Sequence, residues 1–293
     1  MDILEVVGLP ALMAVTSGRR EVTIGLLDGP VAIGHPNLAS ESIRGLPEGV
    51  PGGCAEASSS ACQHGTFVAG ILSARRGSSA PGICPDCSLL VRPIFSEAVA
   101  NDELLPSATP QQLATAICEC IDAGAWVVNL SAAMGQPSIS AEPELHDALD
   151  YAARQGVIVV AAAGNQGMLG SSVITRHRWV VPVVGYGVDG RPMVQSNLGR
   201  SMGRHGLGAP GEDVTSLSSS GEPPLTLAGT SFAAAFVTGA IALLWSAVPD
   251  ATAVEVKHAV CYGQRRVSVV PPLLDAWGAY QMLSATHVRR VPA

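Results

Sequence analysis

Aromatic side chains are scarce in this chain, at 4%, with four each of Phe, Tyr and Trp. Charged residues are also few, at 14%, while hydrophobic residues reach 47%. A buried core must therefore be assembled from Ala, Val, Leu and Ile. Positive charge is in deficit, with 17 Lys and Arg against 24 Asp and Glu and a net charge of -7. That balance excludes a nucleic-acid partner or an anionic membrane surface, since neither meets a cationic footprint. The N-terminal stretch MDILEVVGLPALMAV lacks a basic segment and places Asp2 and Glu5 ahead of its apolar residues, so it is a poor signal peptide. It reads as a short surface helix or arm over 1–20, which implies a cytoplasmic protein. No internal repeat and no long linker divides the 293 residues. No acidic cluster has the spacing of a calcium loop, so neither an obligatory metal nor a cofactor is expected.

One apolar run is long enough to raise the question of a membrane span, the uncharged stretch 225–248. It holds Gly229-Thr230-Ser231 near its start and several Ala, and reads as the buried central helix of a globule. The seven cysteines form no even framework. Cys54, Cys62, Cys84 and Cys87 cluster in two loop-like segments. They are open to a structural disulfide or two, to free thiols, or to a zinc site if the two halves meet in space. Cys118 and Cys120 lie two apart on an expected helix, face different sides, and should not pair with each other.

Along the chain, short aliphatic strands alternate with helical patterns. Strands are expected at 22–28, 88–95, 126–130, 157–162 and 179–184. Helices are expected at 66–74, from Thr109 to about Gly124, at about 142–155, and after Ser231. Thr109-Pro110-Gln111-Gln112 is a strong helix start, with an N-cap Thr, Pro at the first position and Gln at the third. The Pro/Gly/Ser-rich stretch 36–62 reads as an exposed connection. This rhythm predicts an α/β domain over 21–285, in three layers, with a mainly parallel central sheet covered by helices on both faces and a short tail at 286–293.

Three polar residues stand where such a sheet gathers its chemistry. Asp28 ends the first strand, and catalytic groups of open parallel sheets collect at the carboxyl ends of strands. His64 is expected to open a helix in His64-Gly65-Thr66, and Ser231 precedes the long apolar helix. Singly they read as a turn acid, a surface histidine and a helix cap. Together they supply what a serine nucleophile needs: an imidazole to take its proton and a carboxylate to fix the imidazole. The chain order Asp, His, Ser is that of subtilisin and differs from chymotrypsin and the α/β-hydrolases.

The flanking residues carry a resemblance. GLLDGP around Asp28, HGTFVAGI around His64, VVNLSAAMG at 127–135, VVAAAGNQG at 159–167 and GTSFAAAFVTGAIAL from Gly229 resemble the subtilases over about 20–283. The resemblance implies a subtilisin-like fold and a serine endopeptidase with Asp28, His64 and Ser231 as its triad. It implies Asn165 as the oxyanion-hole amide, acting with the backbone N–H of Ser231. It also assigns Ser131, Ala132, Ala133 and Gly164 to substrate binding, with a peptide substrate pairing as an extra strand. Within the family, GLLDGPVAIGHPNL and GRPMVQSNLGRSMGRHGLGAPG resemble the subtilases that process cyanobactin-type precursors, which remove a leader or cyclise a core.

The chain departs from the family pattern in two places. Gly29-Pro30 follows the acid where many subtilases carry Ser or Thr and then Gly, and Ala235 stands where the family usually has Pro four residues after the nucleophile. Cyclising members carry a helical cap between acid and histidine. Here those residues are 36 positions apart, with little room for one, so leader removal is the expectation. The alternatives are a general intracellular subtilase, a peptide ligase or macrocyclase, and a peptide-binding module without turnover. With only 27 residues before Asp28, no foldase segment of the secreted kind is expected to precede the domain.

Overall fold

The computed structural model describes residues 4–46, 51–97, 108–132, 142–261 and 268–288. A seven-stranded sheet forms the centre: β1 (Thr23–Asp28), β2 (Ile43–Gly45), β3 (Ser88–Pro93), β4 (Val127–Leu130), β5 (Ile158–Ala162), β6 (Val181–Tyr186) and β7 (Leu207–Pro210). The order is β2-β3-β1-β4-β5-β6-β7, and every adjacent pair is parallel. A hairpin of β8 (Val214–Ser218) and β9 (Gly221–Leu227) is antiparallel.

The strands are aliphatic throughout because both faces are covered. Ile24 and Leu26 of β1, Val127 of β4 and Ile158 and Val160 of β5 enter one core, while Leu27, Val128, Leu130, Val159 and Ala161 enter the other. This period-2 division is what a strand's alternating side chains impose. Helices α1 (Leu9–Val15), α2 (Ser60–Ser73), α7 (Thr230–Ala247), α8 (Ala253–Cys261) and α9 (Ala276–Val288) contribute to the first core. Helices α3 (Pro110–Asp122) and α4 (Pro143–Gln155) build the second. Short α5 (Val173–Arg176) and α6 (Arg200–His205) lie by β6. The result is the three-layer α/β arrangement that the strand–helix rhythm implies.

Three expectations are corrected. The N-terminal helix is not merely a surface arm, since Val7, Leu9 and Leu12 are fully buried in the first core. At the other end α9 runs to Val288, past the expected boundary at 285. Helix α2 begins at Ser60 rather than near residue 66, capped by Ser59, whose hydroxyl accepts the Cys62 N–H at 3.1 Å. His64 therefore sits in the second turn of α2 instead of opening it. The central helix α7 has the length and composition of a membrane span, yet 94% of it is buried inside the protein.

Strand order places the chemistry. From β1 the chain moves outward to β2 and β3 on one side, then crosses to β4 on the other. The carboxyl end of β1 thus lies where the direction of winding reverses, the position at which open α/β sheets form a crevice.

Candidate active site

Asp28 is the last residue of β1 and is fully buried. Its Oδ1 accepts the Gly29 N–H and faces His64 Nδ1, each at 2.6 Å. With Nδ1–H committed to the carboxylate, Nε2 keeps a lone pair for a proton from outside. Burial of His64 lowers its pKa, but the Asp28 charge and hydrogen bond outweigh it, leaving the imidazole above its ordinary value of 6.5. Its ring packs against Phe232, centroids 5.5 Å apart, and meets Phe95 edge-on at 6.3 Å.

Two glycines allow this closeness. A Cβ on Gly29 would lie 1.9 Å from the Ala61 carbonyl oxygen, and one on Gly65 would lie 2.4 Å from the carbonyl oxygens of Gly29 and Pro30. The turn after β1 and the first turns of α2 are therefore in backbone contact. This explains Gly29 where the family often has Ser or Thr. The Cys54–Cys62 disulfide ties the preceding connection to α2 two residues before His64. It resolves the cysteine alternatives in part: Cys84, Cys87, Cys118 and Cys120 are free thiols, Cys261 lies outside any disulfide, and the four clustered cysteines do not meet as a zinc site.

Ser231 lies in the first turn of α7, where unpaired backbone N–H groups and the helix dipole favour negative charge. Its hydroxyl donates to the Ser131 carbonyl at 3.0 Å. Engaging His64 Nε2 requires the hydroxyl proton to turn away from that carbonyl. Hydrogen bonds of this kind are commonly loose before substrate binds.

Asn165 is exposed at the end of the segment after β5. Its Oδ1 accepts the Thr230 N–H at 2.9 Å, which leaves Nδ2, 3.7 Å from where a Cβ on Gly229 would lie, to donate near the start of α7. Thr230 also reaches back, its Oγ1 accepting the Gly164 N–H at 3.1 Å. The Gly164 N–H is engaged by Thr230, and its carbonyl accepts the Asn197 N–H at 2.9 Å, which leaves one lone pair of that oxygen for a ligand. What Gly164 supplies is a φ of +103° that turns the chain toward Asn165.

Ser131 and Ala132 follow β4 and are buried, at 6% and 8% exposure, while Ala133 lies outside the described residues. A buried chain of hydrogen bonds holds this segment. Thr238 of α7 donates to Asn129 Oδ1, and Asn129 Nδ2 donates to Ser131 Oγ, each at 2.9 Å.

Several supporting residues escaped the sequence reading. Asn197 is the most engaged: its Oδ1 accepts the N–H groups of Gln166 at 3.2 Å and Met168 at 2.9 Å. Its Nδ2 donates to the Ala163 carbonyl at 3.1 Å and to Gln166 Oε1 at 2.7 Å. It thus staples the loop that presents Asn165. A buried Asn within Ser196-Asn197-Leu198-Gly199 was visible only as part of a resembling segment. Phe95, Thr230 and Phe232 carry no polar pattern that marks them apart from core or cap residues.

The assembled groups can ionise a serine hydroxyl and hold an oxyanion, which is the chemistry of acyl transfer. Comparison with known proteins agrees with that geometry. The Peptidase_S8 model, described as the subtilase family, matches residues 19–263. Mycosin-1 of Mycobacterium tuberculosis (strain ATCC 25618 / H37Rv) is 31% identical over 249 residues, covering 67% of this chain and 54% of that protein. The chain spans about half the length of that relative. Among solved structures, the protease domain of PatA superposes with a TM-score of 0.82 at 30% identity, covering 92% of this chain and 97% of that one. The prenylagaramide maturation protease PagA gives 0.81 at 28% identity, covering 95% and 99%. With the family model matched across most of its length and on this sheet, the chain belongs to the subtilase family.

Proposed function

We propose that the chain is a serine endopeptidase that removes the leader from a ribosomally made, modified precursor peptide. The Asp28–His64 bond at 2.6 Å, facing the start of α7, is the observation that carries the chemistry. His64 Nε2 takes the Ser231 proton as Oγ attacks the scissile carbonyl. Asp28 stabilises the resulting imidazolium, and Asn165 Nδ2 with the Ser231 N–H receives the oxyanion. Collapse of the tetrahedral intermediate passes the proton from His64 to the leaving amine and leaves an acyl-enzyme. Water then repeats the sequence to free the acid. The peptide lies as an extended strand beside Ser131 and Ala132, where main-chain pairing supplies affinity and side-chain pockets supply specificity.

Leader removal is supported by the chain-long likeness to two maturation proteases. It is also supported by the connection from Asp28 to α2, whose described residues carry only a 3-10 turn (Ser40–Ser42) and the three-residue β2. Among the described residues of that connection, nothing longer than this 3-10 turn stands to screen an acyl-enzyme from water. Ala235 continues α7 without interruption and favours a ligase instead. A cytoplasmic location is part of the proposal, and the Cys54–Cys62 disulfide is the observation that opposes it. Cytosolic reductants keep most thiols reduced, so the redox state of Cys54 and Cys62 in protein taken from cells tests that placement.

The test of the function is digestion of a leader–core precursor and of unfolded casein, both followed by mass spectrometry. A single cut at the leader–core junction, with casein left largely intact, is the expected result. Many cuts in casein would point to a degradative subtilase, and a core lighter than its hydrolysed form by one water would point to a macrocyclase.

A further inference from the structure

We propose that His146, Asp150 and His177 form a binding site for a divalent transition-metal ion of the zinc class, away from the triad. His146 and Asp150 stand one turn apart on the same side of α4, and His177 caps the C-terminus of α5. His146 Nε2 is 3.7 Å from Asp150 Oδ2, and His177 Nε2 is 3.1 Å from Asp150 Oδ1. One ligand atom from each residue lies within 4.8 Å of the other two. Ligands bound to zinc at their usual lengths in tetrahedral geometry are separated by roughly 3.3 Å. The needed contraction is within reach of the His146 side chain, which is 58% exposed.

The donor set selects the metal. Two imidazole nitrogens and one carboxylate suit zinc and its neighbours cobalt and nickel, whereas calcium and magnesium take oxygen ligands. Three protein donors leave the remaining coordination to solvent, and the half-exposed Asp150 and exposed His146 give the ion a way in.

His177 is fixed in place beside the other two ligands. Its side chain is 7% exposed and its ring meets His146 in a T-shaped contact at 5.1 Å. Its Nδ1 accepts the Trp179 N–H at 3.3 Å, which places the ring proton on Nε2, toward Asp150. Metal at Nε2 shifts that proton to Nδ1, where it faces the Trp179 N–H, so the ring or the Trp179 peptide must turn as the ion enters.

The site joins α4 to α5, and α5 follows the loop that presents Asn165. Metal binding therefore fastens the far end of that loop to the second layer of helices.

Calorimetric titration of the chelator-treated full chain with zinc chloride tests the proposal, alongside His146→Ala, Asp150→Asn and the double variant. Both residues face solvent, so the variants keep the fold, which circular dichroism checks. One equivalent bound, weakened at least about tenfold by each single change and absent from the double variant, is expected. Zinc should raise the melting temperature of the native chain and leave that of the double variant unmoved. A cobalt complex should show no thiolate charge-transfer band. Absence of binding would overturn the proposal. So would a full equivalent of unchanged affinity in the double variant, because the ion would then sit on His64 or the free cysteines.

Discussion

Replacing Gly29 by Ala places a methyl group 1.9 Å from the Ala61 carbonyl oxygen, where real Cβ contacts stay above 3.0 Å. The junction between the β1 turn and α2 must then open by at least about 1.1 Å. Sliding offers little escape, because Gly65 already sits against the Gly29 and Pro30 carbonyls. If that displacement falls along the Asp28–His64 bond, 2.6 Å becomes about 3.7 Å, beyond hydrogen-bond range. A misplacement of about 1 Å in a catalytic group costs on the order of 10²-fold in rate, or about 2.7 kcal/mol of barrier. The variant should therefore lose roughly 10²-fold in kcat/KM on a peptide ester. Its His64 should also titrate lower than in the native chain, since burial is the largest influence on it and the opposing carboxylate has receded. The assay is kcat/KM against pH, with thermal unfolding measured in parallel. A folded variant within about threefold of native activity, with an unmoved acid limb, would refute the reasoning.

Other consequences can be measured in the same way. Asn165→Ala should lower kcat by about 10²- to 10³-fold with KM little changed, because the lost donor acts on the transition state. Steady-state kinetics on one substrate is the check. Asn197→Ala strips the acceptor from the Gln166 and Met168 N–H groups. It should cost about 1–3 kcal/mol in urea unfolding and reduce kcat by less than Asn165→Ala does. The acid limb of kcat/KM for the native chain should have its midpoint above 6.5, because the base must be neutral to act and Asp28 holds it protonated to higher pH. An acid limb at or below 6.5 would contradict that sign. Cys54→Ser with Cys62→Ser reopens a loop of sequence separation 8 and should cost roughly 2–3 kcal/mol in stability.

The layered fold was legible because aliphatic strands alternating with capped helices leave few other architectures. Thr109 and Gln112 do form the capping box their spacing implied, each accepting the other's backbone N–H. Boundaries were legible only where a cap is isolated. At α2 the start is blurred by the run Ser58-Ser59-Ser60, in which any hydroxyl is an acceptable N-cap, and the helix begins six residues before the expected Thr66. The strand expected at 179–184 is β6 at Val181–Tyr186, because Trp179 is drawn into a turn by its N–H to His177 and its indole bond to the Val157 carbonyl.

Within the site, Asp28, His64, Asn165 and Ser231 carry the polar chemistry that marks function. Their supports were hidden, because Gly29, Asn197, Thr230 and Phe232 act through contacts between segments distant in sequence. His146 and Asp150 show the i, i+4 spacing of paired ligands, but nothing in the sequence brings His177 to them.

The account rests on an activated Ser231, and labelling with a fluorophosphonate probe tests this most directly. Intact mass should show one adduct on the native chain and none on Ser231→Ala. A well-folded native chain that takes no adduct, or a mutant that takes one as readily, would contradict the assignment of Ser231 as nucleophile.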